Sequence, residues 1–176
     1  GIALYPDHGV DANILIQRAD VAMYAAKNSN SGHAFYDGKI DQHNPTRLTL
    51  LGELRHAVEQ EQFVLYYQPQ VDIRTGKVVG MEALLRWVHP ERGLLSPATF
   101  IAVAEESGLI VALGEWVQHG ASHHWAEWVA GGLKPGVLSI NVSGVEFRRG
   151  QIQDTVRSVL AATGLPPELL ELEITE

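Results

Sequence analysis

Met81-Glu82-Ala83-Leu84-Leu85-Arg86-Trp87, "MEALLRW", admits two incompatible readings. On a helix, every residue of "EALLR" is a good helix former, and Glu82 and Arg86 would pair as surface ions four residues apart. On a strand, side chains alternate, so Glu82, Leu84 and Arg86 share one face while Ala83, Leu85 and Trp87 share the other. An acid and a guanidinium then leave the same side together. The flanking sequence favours the strand: "FVLYYQPQVDI" (63–73) is a first apolar run, Arg74–Gly76 a turn, and "VVGMEALLRW" (78–87) a second.

Outward from this strand pair the pattern alternates. Helical spacing predicts helices near 97–107 and 113–130, a strand at "VLSINVS" (137–143), a helix over 152–162 and a last strand at "LLELEIT" (169–175). Strands alternating with helices predict a parallel α/β sheet or barrel. Upstream, Pro45 or Thr46 opens a helix running to about Gln60, and the polar "DGKIDQHNP" (37–45) reads as a linker. Before it lie a short strand at 2–5 ended by "PDHG", a helix from Ala12 to Lys27 stopped by "NSNSG", and a strand-like "HAFY". Fewer than about forty residues bury little surface alone. They read as the tail of a domain.

Composition narrows the function. With 176 residues, 45% of them apolar, the chain can bury one sizeable core. No window approaches the length of a membrane span, and the first residues lack the basic start and apolar core of a signal peptide. The absence of cysteine removes disulfides, thiolate nucleophiles and cysteine zinc sites, and makes the cytoplasm the default location. A net charge of −8 argues against binding a nucleic-acid polymer through a basic surface. A small phosphate ligand stays compatible if cations offset the acids.

The strands carry polar residues where helix-covered strands are ordinarily apolar. Tyr66, Gln68, Gln70 and Asp72 oppose Leu65, Tyr67, Val71 and Ile73; Ser139, Asn141 and Ser143 oppose Ile140 and Val142; Glu171, Glu173 and Thr175 oppose Leu170, Leu172 and Ile174. A solvated antiparallel sheet would give this alternation in any one strand. Four such strands with helices between them suit a barrel interior, where α/β barrels gather chemistry at the C-terminal strand ends.

"YYQPQVD", "EALLRW", "LSPATFIAVAEESGLI", "NVS" and "ELEITE" together resemble the first part of an EAL domain, the cyclic di-GMP phosphodiesterase fold, over about 48–176. "GIALYPDHG" with "RADVAMYAAK" resembles the end of a GGDEF domain, the diguanylate cyclase fold, over 1–38, leaving 39–47 as linker. The resemblance implies a partial (β/α)8-type barrel whose first strand is antiparallel, preceded by a strand-helix-strand remnant of an α/β domain. It implies Mg²⁺ or Mn²⁺ held by Glu82, Asn141 and Glu173, a substrate phosphate held by Arg86, a nucleotide pocket lined by Gln68 and Pro97, and a loop anchored by Glu176. Hard cations prefer such carboxylate and amide oxygens. Activity would be hydrolysis of cyclic di-GMP to the linear dinucleotide; the alternative is a degenerate module that binds cyclic di-GMP, or a protein, as a sensor.

Each residue has a plainer role to exclude. Glu82 with Arg86 could be a structural ion pair, Asn141 could cap the turn that follows, and Glu171 is expected to support rather than to bind. His119 and His123 have zinc-compatible spacing, but "HGASH" lacks the zincin glutamate, and Trp116, Trp125 and Trp128 suit helix packing. By the resemblance, the paired aspartates, the lysine and the last metal-binding glutamate fall beyond Glu176, so these residues by themselves are expected to be inactive. Lys27 matches a phosphate-contacting lysine, but Ser31 stands where an arginine is expected. A strand left at the edge over 169–175 invites pairing with another chain, a homodimer being one such outcome, or disorder.

Overall fold

The computed structural model describes residues 1–28, 31–38, 45–150 and 152–175. The chain divides into two compact units, Gly1–Leu50 and Leu51–Glu176. In the first, α1 (Ala12–Asn28) is started by Asp11, whose Oδ1 accepts the amides of Asn13 at 2.8 Å and Ile14 at 3.3 Å. The expected strands at 2–5 and "HAFY" reduce, among the described residues, to one parallel bridge, Ile2 to Phe35, held by bonds from Ile2 N–H to Ala34 O and from Tyr36 N–H to Ile2 O. Buried Tyr36 meets the His8 ring edge-on, and the Arg18 guanidinium lies 5.0 Å above it. Residues 39–44, most of the expected linker, lie outside the described residues. Helix α2 (Pro45–Glu59) follows.

The second unit is a mixed α/β fold, a partial barrel. Strand β1 (Phe63–Val71) pairs antiparallel with β2 (Val78–His89), and β4 (Val137–Ser143) and β5 (Leu170–Thr175) join parallel, giving the order β1-β2-β4-β5. The deciding heptapeptide is therefore strand, and its alternation is obeyed. Ala83, Leu85 and Trp87 are buried while Glu82, Leu84 and Arg86 are half-buried. The helix propensity of "EALLR" loses because a strand buries Trp87 completely, against Phe63 and Phe100 with ring centroids 5.9 and 5.7 Å away.

A third strand, β3 (Gly93–Leu95), was absent from the sequence expectation. It folds back on β2 because His89 Nδ1 accepts the amides of Glu91 and Arg92, closing a tight turn that the Arg92 guanidinium ties to Glu53 on α2. The β1–β2 turn is closed similarly: Asp72 Oδ1 accepts the amides of Arg74 and Thr75, which holds this exposed carboxyl below its usual range. A bulge between Gln70 and Val71 shifts the register there. Val71 and Ile73, expected on the buried face, are consequently exposed.

Helices α3 (Pro97–Ser107) and α4 (Leu109–Ala130) cover the apolar face. Gly108, with φ 78°, separates them, so α4 begins four residues before the expected Leu113. The buried positions of α4, Ile110, Leu113, Gly114, Val117, Gln118, Ala121, Ser122 and Trp125, follow helical period along a single stripe. Trp125 donates to Gly136 O at 3.0 Å; a Cβ on Gly136 would fall 2.1 Å from Val79 O, so β4 can enter beside β2 only with glycine there. The short α5 (Gly144–Arg149) precedes α6 (Ile152–Thr163), and a 3₁₀ turn at Pro167–Leu169 leads into β5. Neither α5 nor that turn was expected.

Candidate functional site

Because β2, β4 and β5 run parallel in register, their polar positions stack in layers on the face opposite the helices. In the register, Glu82 stands opposite Gln68 on β1 and Ser139 on β4, and Asn141 stands opposite Glu173 on β5. Asn141 Nδ2 donates to Glu82 Oε1 at 2.6 Å. Asn141 thus reaches across strands rather than taking the plainer role of a turn cap, and Ser143 is the cap: its Oγ accepts Val145 N–H at 3.0 Å while Glu146 Oε2 accepts Ser143 N–H at 2.9 Å. Glu82, Asn141 and Glu173 are each half-buried, accessible to a ligand yet walled by strands.

One level lower, Gln70 Nε2 donates to Ser139 Oγ and Ser139 Oγ donates to Glu171 Oε2, both at 3.1 Å. Glu171 is thereby tied to a hydroxyl. At the top of β4, Ser143 Oγ donates to Glu105 Oε1 of α3 at 2.6 Å. Burial, with the like charges of Glu105 and Glu115 behind it, pushes the Glu146 carboxyl up, against the opposing pull of the Ser143 amide.

Arg86 is not paired with Glu82. Its Nη1 donates to Leu85 O at 2.8 Å and its guanidinium lies 5.9 Å from the Tyr66 ring. Gln68 is exposed beside Glu82, and Pro97, at the first turn of α3, lines with Leu84, Asn141 and Glu105 a cavity of about 460 Å³. Glu176 lies outside the described residues.

Other expected groups disperse. His119 and His123 are exposed on α4, His123 facing Glu127 at 3.4 Å, and among the described residues no three His, Cys, Asp or Glu stand together as a metal cluster. Trp125 is buried and Trp128 packs edge-on against Tyr67 at 4.6 Å, the packing roles expected of them. Burial pushes the Tyr67 phenol up, and its oxygen sits 2.7 Å from His124 Nδ1. Glu105 and Glu146 were missed. For Glu146 a signal existed: Ser143-Gly144-Val145-Glu146 is an S-x-x-E capping box.

The donor set is chemically suited to a hard divalent cation, since it offers two carboxylates and an amide oxygen and nothing softer. It supplies part of a coordination sphere. The one hydrogen bond within it can be exchanged: a half-turn of the Asn141 amide presents oxygen in place of N–H, which is unfavourable beside a bare carboxylate and favourable beside a cation.

Known proteins are similar to this chain in sequence and fold. Bifunctional diguanylate cyclase/cyclic di-GMP phosphodiesterase MucR of Pseudomonas aeruginosa is 41% identical over 177 residues, covering 100% of this chain and 26% of that protein. Cyclic di-GMP phosphodiesterase PdeR of Escherichia coli is 39% identical, again covering 100% of this chain and 26% of the relative. The chain thus spans about a quarter of the length of the curated relatives it matches. A solved structure of the PaMucR phosphodiesterase in complex with c-di-GMP superposes with a TM-score of 0.69 at 43% identity, covering 73% of this chain and 52% of that one. Residues 51–176 match the EAL domain, the stretch that carries β1 to β5 and the layered carboxylates, and the chain belongs to that family.

Proposed function

We propose that the protein containing this chain hydrolyses cyclic di-GMP to its linear dinucleotide in a metal-dependent reaction. The observation that supports this reading is the Glu82–Asn141 pair at 2.6 Å with Glu173 opposite Asn141 in register, which brings two acids and an amide to one face of three strands. Mg²⁺ or Mn²⁺, when bound, would supply Lewis acidity and a water nucleophile at neutral pH. Glu82, Asn141 and Glu173 would hold the cations, Arg86 would hold a phosphate oxygen, and Gln68 and Pro97 would border the nucleotide. Glu176 would anchor a neighbouring loop. In the reaction, water adds to phosphorus and one phosphodiester P–O bond breaks, its oxygen leaving as the ribose hydroxyl.

Two carboxylates are few for a two-cation site. On the family's pattern, further ligands and a general base complete such a site. The similarity to MucR extends through the first unit, and we infer that 1–38 is the end of a GGDEF-type domain with 39–47 as linker. The protein would work in the cytoplasm.

A second reading is a module that binds cyclic di-GMP without cleaving it, which fits the same geometry of Glu82, Asn141 and Glu173. Incubating the intact protein with cyclic di-GMP and Mn²⁺ and following product by chromatography separates the two. Linear product abolished by chelation supports hydrolysis; saturable binding without product supports the sensor.

A further inference from the structure

We propose that Glu146 is a positioning residue for Asn141, acting through the end of β4, and that Gly114 is the seat this role requires. The proposal deepens the reading of Asn141 as a ligand and rests on it. Asn141 must reach Glu82 at 2.6 Å from a neighbouring strand, so the height of β4 at that point has little tolerance. Two residues later, Ser143 is gripped from two directions. Glu105 of α3 accepts a hydrogen bond from its hydroxyl at 2.6 Å, and Glu146 of α5 accepts one from its amide N–H at 2.9 Å.

The grip holds only if Glu146 is itself fixed, and α4 fixes it. A Cβ built on Gly114 would fall 1.7 Å from Glu146 Oε1 and 2.6 Å from its Cδ, so the carboxyl fills the space of the missing side chain. Glycine inside a 22-residue helix is unfavourable relative to alanine, which calls for a packing reason. One turn on, Gln118 is 4% exposed and its Oε1 accepts no hydrogen bond from the described protein; it lines a small cavity together with Glu146 and Glu115. The charged groups facing Glu146 are Glu105 of α3 and Glu115 of α4, both acids. A carboxyl in that company, beside an orphan acceptor, is best placed as a neutral donor. Glutamine would serve equally, accepting from Ser143 N–H with its oxygen and donating toward Gln118 with its amide.

The test is a double-mutant cycle in the intact protein, read by amide hydrogen exchange at Ser143 and Val145 and by Mn²⁺ affinity from calorimetric titration. Gly114→Ala is expected to speed exchange at those amides and to weaken Mn²⁺ binding by about 10- to 100-fold, the range found for groups that orient metal ligands. Glu146→Ala should do the same, and Glu146→Gln should stay within about threefold of the parent. Adding Gly114→Ala to Glu146→Ala should cost little more, since the methyl then enters vacated space. If Gly114→Ala prevents folding, recovery in the double variant supports the seat and continued failure counts against it. Equal penalties for Gly114→Ala in both backgrounds would overturn the proposal, as would faster exchange with Mn²⁺ affinity unchanged, which leaves Asn141's own role intact. An Asn141→Ala control that binds Mn²⁺ normally would instead remove the ligand reading, and the proposal with it.

Discussion

Two layers of the same polar face are built from similar residues and end up chemically opposite. In the lower layer, Gln70 donates to Ser139 and Ser139 to Glu171, so the serine hydroxyl is used both as acceptor and as donor and one Glu171 oxygen has its donor. In the upper layer, Glu82 and Glu173 flank Asn141, whose amide makes one described bond, to Glu82. Acceptors and negative charge are left in excess there. Satisfied polar chains stiffen a fold, whereas surplus carboxylates on a half-buried face demand a cation or a donor-rich ligand. The comparison teaches that counting donors against acceptors, level by level, separates the scaffold acid from the acids that await a partner.

The largest expected effect tests that separation directly. Glu82→Gln or Glu173→Gln should lower cyclic di-GMP hydrolysis by the intact protein at least ~100-fold, the upper end for disturbing groups around a metal, while Glu171→Gln should lower it less than about fivefold. Initial rates at saturating Mn²⁺ check this, and equal losses for all three would erase the distinction. An intermediate effect concerns stability. Ser139→Ala, at a fully buried hydroxyl, should cost about 1–3 kcal/mol in denaturant unfolding by breaking the chain at its centre. Asn141→Ala should cost less, about 1 kcal/mol, because the upper layer is only half-buried and Glu82 regains water.

The smallest effect lies above both layers. The Glu146 carboxyl is raised from its ordinary 4.5, so the folded state holds its proton more tightly than the unfolded state does. Its contribution is fully present below that ordinary value and is lost as pH rises through the raised folded value, by at most about 1.4 kcal/mol per pH unit. Glu146→Gln should flatten this part of the stability–pH curve and leave the acid side unchanged. An unaltered curve would show that Glu146 is charged in its seat.

Much of this was legible because it follows period-two alternation. Once "MEALLRW" is a strand, Glu82 and Arg86 must share a face, and the same parity places Asn141 and Glu173 with them. The family motifs brought the same residues to notice independently. What was not legible depends on contacts distant in sequence or on local turn chemistry. The turn at His89 that makes β3 draws on Arg92 and on Glu53 from α2, thirty-six positions before that histidine. The bulge at Gln70 switched the exposure of Val71 and Ile73, which a uniform alternation could not show. The bland pairing of Glu82 with Arg86 fails for a geometric reason: two apart on one strand face, the guanidinium finds the Leu85 carbonyl and the Tyr66 ring nearer at hand.

By itself the amino-acid sequence determined the alternation of strands and helices, the side of each strand that carries its polar groups, and the family, since all three are written in short-range pattern and motif. Only the tertiary structure decided which polar groups meet. Register sets Asn141 beside Glu173 and Ser139 beside Glu82 and Glu171, and side-chain reach then carries Asn141 to Glu82 and Gln70 to Ser139; a ladder offset of two residues would exchange these partners while leaving the sequence pattern untouched.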